Sequence, residues 1–152
     1  MRYSRLTQDL APLAGDKWAL HLEALRRRDA GEPIVMLTIG EPDQPAEPSL
    51  IAATKAALDA GRTRYSNGHG ELGLLEALVQ RYQPRSSTPL SAANFLCLPG
   101  TQTALYVALR AVLEPGDEVL VGDPLYATYQ AVIAACGARP VFLPTSAATG
   151  FM

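Results

Sequence analysis

Lysine is almost missing from this chain: Lys17 and Lys55 are the only two in 152 residues. The 13 basic and 15 acidic side chains leave a net charge of −2 at pH 7, and neither sign gathers into a long block. That excludes a polybasic surface for nucleic acid or anionic lipid. The single basic run, Arg26-Arg27-Arg28, would spread around more than half of a helix and has no aromatic residues within it, so it reads as a solvated face. Cysteine is equally scarce. Cys97 and Cys136 stand in apolar surroundings at no metal or redox spacing and are expected as reduced packing residues. No apolar run approaches the length of a membrane span, and Met1-Arg2-Tyr3-Ser4-Arg5 leads into polar sequence. The expectation is a soluble, cytoplasmic protein without a membrane or nucleic-acid partner. Internal repeats and low-complexity tracts are absent too, and no Gly-x-Gly-x-x-Gly turn follows an expected strand, which removes the dinucleotide-binding fingerprint.

What is present is a globular composition, 48% hydrophobic, in a chain long enough to bury a core. Residues 1–15 read as irregular. Asp16 is expected to cap a helix to about Ala30, with Trp18, Leu22 and Leu25 at helical spacing and Gly31 as the stop. Ile34 to Ile39 reads as a short strand ended by Gly40, and Gly40-Glu41-Pro42-Asp43-Gln44-Pro45-Ala46-Glu47-Pro48 as a proline-stiffened loop. A helix follows from Pro48 to about Ala60. After a loop with pivots at Asn67, Gly68 and Gly70, another runs from Glu71 to Tyr82 with Leu74, Leu75, Leu78, Val79 and Tyr82 on one face.

From Ala93 the pattern becomes β-α-β-α-β. Strands are expected at Phe95–Leu98, Val119–Val121 and Val141–Leu143, and helices at Thr101–Leu113 and Leu125–Cys136, an order that implies parallel pairing. The Thr101 helix carries Arg110 as its one charged residue and should be deeply buried. Pro99-Gly100-Thr101-Gln102 is the most informative stretch. A strand, a glycine turn and a helix N-terminus bring unpaired backbone N–H groups and the positive end of the helix dipole to one point, which suits a phosphate.

Four landmarks stand in order along the chain: Gly40-Glu41-Pro42-Asp43, Tyr65 with Gly70, Gly100-Thr101-Gln102, and Asp123-Pro124-Leu125-Tyr126. Together they resemble the N-terminal portion of the class I/II, fold-type I aminotransferases, which use pyridoxal 5′-phosphate (PLP). The resemblance runs from Tyr3 to Phe151. It implies an α/β fold, an incomplete PLP-binding large domain preceded by an N-terminal helical segment. The expected divisions are 1–48 as the N-terminal segment, 49–90 as a helical part and 91–152 as the start of the large domain.

By the same resemblance, Gly100, Thr101 and Gln102 bind the cofactor phosphate, Tyr126 stacks on its pyridine ring, and Gly40 lies beside the substrate α-carboxylate. Tyr65 reaches across a homodimer interface to the partner subunit's cofactor. The reaction implied is transfer of an amino group from an amino acid to a 2-oxo acid. Neither Lys17 nor Lys55 matches the family's Schiff-base lysine, so both are expected as solvated helix residues, and no catalytic residue is assigned. The chain is expected to be an N-terminal fragment, inactive alone. A non-catalytic relative of the fold, or a lyase built on it, is the alternative.

Departures from the family pattern are Gln44-Pro45-Ala46 after the Gly-Glu-Pro-Asp turn and Leu75 where an arginine is common. The run Ala135-Cys136-Gly137-Ala138-Arg139 is most similar to members that use arginine as donor and pyruvate as acceptor. In the family sheet, the first strand lies far from the second and third, so Phe95–Leu98 is expected to have no strand neighbour within this chain.

Overall fold

Ser4 starts the first helix. Its hydroxyl accepts the Leu6 backbone N–H at 3.1 Å, and α1 then runs from Arg5 to Asp29 with Pro12 inside it. A computed structural model of the protein describes residues 2–151, and their side chains except at 14–17. The reading of residues 1–15 as irregular is therefore corrected. Pro12 and Gly15 look like breakers, yet a helix survives the single backbone bond that a proline removes. Asp16 lies within α1 instead of capping it, and its side chain and that of Lys17 fall outside the described residues. Of the expected apolar face, Leu25 is half-buried while Trp18 and Leu22 are exposed. Arg26, Arg27 and Arg28 pair with Glu23, Glu32 and Asp29 in the open, as a solvated face should.

The chain divides into two compact units, Met1–Gly40 with Gly100–Met152, and Glu41–Pro99. In the first, helix α4 (Thr101–Val112), strand β1 (Glu118–Asp123), helix α5 (Tyr129–Ala135) and strand β2 (Arg139–Pro144) follow one another. β1 and β2 pair in parallel, Leu120 opposite Val141 and Val121 opposite Phe142. Asp117 O accepts the Arg139 N–H at 2.9 Å at the entrance of this ladder. The core is carried by α5 and the turn after it, where Val132, Ile133, Cys136 and Ala138 are buried. α5 packs on α1, α4 and β2. It begins at Tyr129, later than the expected Leu125. Pro124 has no N–H to give, and a turn closed by Tyr129 N–H to Tyr126 O, 3.0 Å, intervenes.

α4 matches its expected span but not its expected burial, since none of its residues is buried. An open apolar groove of about 280 Å³, lined by Leu105, Leu109, Val119 and Val121, runs between it and β1. Residues 34–39 form no ladder with other described residues. Their burial nonetheless alternates, Glu32, Ile34, Met36 and Thr38 half-buried against exposed Pro33, Val35 and Leu37, before the chain bends at Thr38 and Ile39.

In the second unit, α2 (Pro48–Asp59) starts with proline in its first turn and ends before Gly61, and α3 (Leu72–Tyr82) is anchored by buried Leu75. Asn67 Oδ1 accepts the N–H groups of His69 and Gly70, folding the loop between them. Gly70 has φ +132°, and a Cβ there would lie 3.1 Å from Cys97 Cβ and 3.3 Å from Leu75 Cδ2. Phe95–Leu98, expected as a strand, forms no ladder with other described residues. It is tied by Cys97 N–H to His69 O at 2.8 Å and by Phe95 against Tyr82, ring centroids 5.9 Å apart.

Two outcomes follow from this packing. Gly70→Ala meets both a strained φ and a crowded Cβ, and should destabilise the protein by roughly 1–3 kcal/mol in denaturant titration. Cys136 is 1% exposed, and burial raises its thiol pKa. A thiol-alkylating reagent at about pH 8 should therefore modify Cys97 first and reach Cys136 only on unfolding, read by peptide mass mapping.

Candidate functional site

Gly100 opens α4 with φ 84° and ψ 145°, backbone angles that side chains with a Cβ avoid. No atom lies within 4 Å of where its Cβ would be, so conformation, not crowding, demands the glycine. The first bond into the helix is Ala104 N–H to Gly100 O, 3.1 Å. The N–H groups of Thr101, Gln102 and Thr103 precede it and have no acceptor within the helix. No side chain caps this end and no acidic residue sits in its first turn. The arrangement is a set of backbone donors at the positive end of a helix dipole, with the Thr101 hydroxyl beside them.

Gln102 lines a cleft of about 400 Å³ together with Gly40 and Tyr126. Three residues selected from separate parts of the sequence thus meet at one opening, and Gly100 and Thr101 adjoin it through the chain. Tyr126 follows the C-terminal end of β1, where ligands gather at the edge of an α/β sheet. Its ring is 67% exposed and leans on Tyr129, centroids 5.6 Å apart at 56°. The peptide bond Asp123–Pro124 just before it is cis. The Asp123 carbonyl accepts both the N–H and the hydroxyl of Thr145, at 2.8 and 2.9 Å, fixing the strand end. Gly40 has open space around its Cβ position. Tyr65, on the 41–99 unit, is fully exposed. Lys55 is exposed on α2.

Among the other residues lining the cleft are Trp18, His21 and Thr38, which no sequence motif marks. The signal was faint. Trp18 shares the spacing of a packing face with Leu22 and Leu25, His21 belongs to no motif, and Thr38 is one polar residue in an apolar run.

The family described as aminotransferase class I and II matches residues 32–152. The chain belongs to the class I and II aminotransferases. Among proteins of known activity, it is 39% identical to the arginine–pyruvate transaminase AruH of Pseudomonas aeruginosa, over 99% of this chain and 38% of that protein. It is 28% identical to an aspartate aminotransferase of Sulfolobus acidocaldarius, over 94% of this chain and 36% of that one. The solved aspartate aminotransferase of Thermus thermophilus with maleate superposes at a TM-score of 0.87, with 31% identity, covering 100% of this chain and 40% of that one. The fold is thus that of the fold-type I aminotransferases, and the chain spans about two-fifths of the length of these relatives.

Gly100 and Gly40 separate in their demands. Gly100→Ala should cost about 1–3 kcal/mol of stability from its backbone angles alone. Gly40→Ala should stay within about 0.5 kcal/mol of wild type. Paired thermal melts check both.

Proposed function

We propose that this chain is the N-terminal part of a PLP-dependent enzyme that moves an amino group from an amino acid to a 2-oxo acid. The observation that carries the reading is the cleft where Gly40, Gln102 and Tyr126 meet beside the uncapped N-terminus of α4. The donor set there fits the cofactor. Backbone N–H groups, a hydroxyl and a helix dipole suit a phosphate, and an exposed tyrosine ring suits a planar heterocycle. When bound, PLP supplies an electron sink for charge developing at the α-carbon of the amino acid.

The chain's own residues bind and orient. Thr101 and Gln102 hold the phosphate through their N–H groups, with Gly100 providing the turn that aims them. Tyr126, exposed and leaning on Tyr129, would stack on the cofactor ring. Gly40 brings bare main chain to the α-carboxylate. Tyr65, exposed on its unit, gives its hydroxyl to the cofactor phosphate of a partner subunit in a homodimer. The residue that moves the α-proton is neither Lys17 nor Lys55 and lies in the part of the relatives that this chain does not match. The 152 residues alone are therefore inactive in this reading.

Arginine as donor and pyruvate as acceptor are the substrates we favour, because identity to the transaminase named for them is 39%, against 28% for the Sulfolobus aspartate enzyme. A cytoplasmic location accords with the fact that no described helix is long and apolar enough to cross a membrane.

The test is the product of the complete gene, its intact mass measured from the native source. A product well above 16.2 kDa that binds PLP and transfers the amino group of L-arginine to pyruvate is expected. In that protein Tyr126→Ala should weaken PLP binding about 2- to 12-fold by absorbance titration, the equivalent of about 0.5–1.5 kcal/mol of stacking. A stable product of 16.2 kDa that binds no PLP would overturn the reading.

A further inference from the structure

His21 connects α1 to the segment that ends in Gly40. Its Nδ1 shares a hydrogen bond of 2.7 Å with Thr38 Oγ1, seventeen residues further along the chain. Both residues are half-buried. The Trp18 ring meets the imidazole edge to face, centroids 5.7 Å apart at 72°, and both rings line the cleft that contains Gly40. This stacking restricts the rotation of the imidazole and so aims Nδ1. Thr38 shares its half-buried side of the extended segment with Ile34 and Met36, and Gly40 is two residues beyond it.

The Thr38–Gly40 backbone lacks the ladder that would normally hold such a segment among the described residues. Glycine adds no side chain of its own to fix the turn. The His21–Thr38 bond is a directional restraint two residues from Gly40.

We propose that His21 is a positioning residue for substrate binding: through Thr38 it holds the Gly40 main chain where the α-carboxylate of the amino acid is received. This rests on the aminotransferase reading above. A side chain acting in this way changes how well the carboxylate is bound and leaves the proton-transfer step alone. Its loss appears in KM, with little change in kcat.

The experiment uses the PLP-loaded protein expressed from its complete gene. His21→Ala and Thr38→Val should each raise the KM for the amino-acid donor about three- to tenfold, with kcat within about twofold and PLP affinity unchanged. The double variant should be no worse than either single one, because both remove the same bond. His21→Asn, whose amide reaches the position of Nδ1, should recover most of the loss. If His21→Ala fails to fold, Thr38→Val against Thr38→Ser makes the same comparison. A fall in melting temperature with KM unchanged would overturn the proposal, as would additive KM effects in the double variant. A wild-type protein that binds PLP but transfers no amino group from any amino acid would remove the underlying reading, and this proposal with it.

Discussion

Burial of α5 is the interaction on which the 1–40 and 100–152 unit depends. A seven-residue helix has too few backbone bonds to offset its own nucleation and does not persist alone in water. It exists because Val132, Ile133 and Cys136 are withdrawn from solvent, and α1, α4 and β2 each find their neighbour in it. The Arg110 guanidinium donates to the Cys136 carbonyl at 3.3 Å, giving one of the last carbonyls of the helix a partner. The other end of α5 borders the cleft through Thr128 and Ala131. Core and site are thus two ends of one short element, and a perturbation of the core reaches the site without crossing any loop.

The site combines a part fixed by backbone conformation with a part fixed by packing. Gly100 sets the direction of the α4 donors through its own torsion angles, which hold wherever the chain folds locally. Tyr126, Gly40 and Gln102 line one cleft with Thr128 and Ala131 at the start of α5, which packs on α1, α4 and β2. Charge contributes little. The ion pairs of α1 are exposed, and the lowered pKa of Glu23, caused first by its hydrogen bond to Arg26, belongs to a solvated surface.

Elements with local punctuation were legible in the sequence. Pro48 and Gly61 bracket α2, Gly100 opens α4, and the short apolar runs at 119–121 and 141–143 fall within a parallel pair. Elements whose definition depends on a neighbour were not. Ile34–Ile39 and Phe95–Leu98 have the composition of strands, but a strand is completed by its ladder, which composition does not encode. The periodicity of α4 reports how apolar it is and not what covers it. Pro12 and Gly15 argued against a helix that the Ser4 cap begins. Of the residues that line the candidate cleft, Gln102 belongs to the glycine–helix pattern at 100–102, and Gly40 and Tyr126 belong to the spaced landmarks. Trp18, His21 and Thr38 gave no such sign, because their partnership spans two elements and each residue taken singly looks like packing.

The alternation along residues 32–38 limits how this part of the chain can change length. Successive side chains there take opposite sides, so adding or deleting one residue directly after Glu32 exchanges the two sides. Thr38 would then face away from His21, and Val35 and Leu37 would turn inward in place of Ile34 and Met36. Changes of two residues preserve the pattern. Length variants here should survive in even steps, a parity rule imposed by one hydrogen bond.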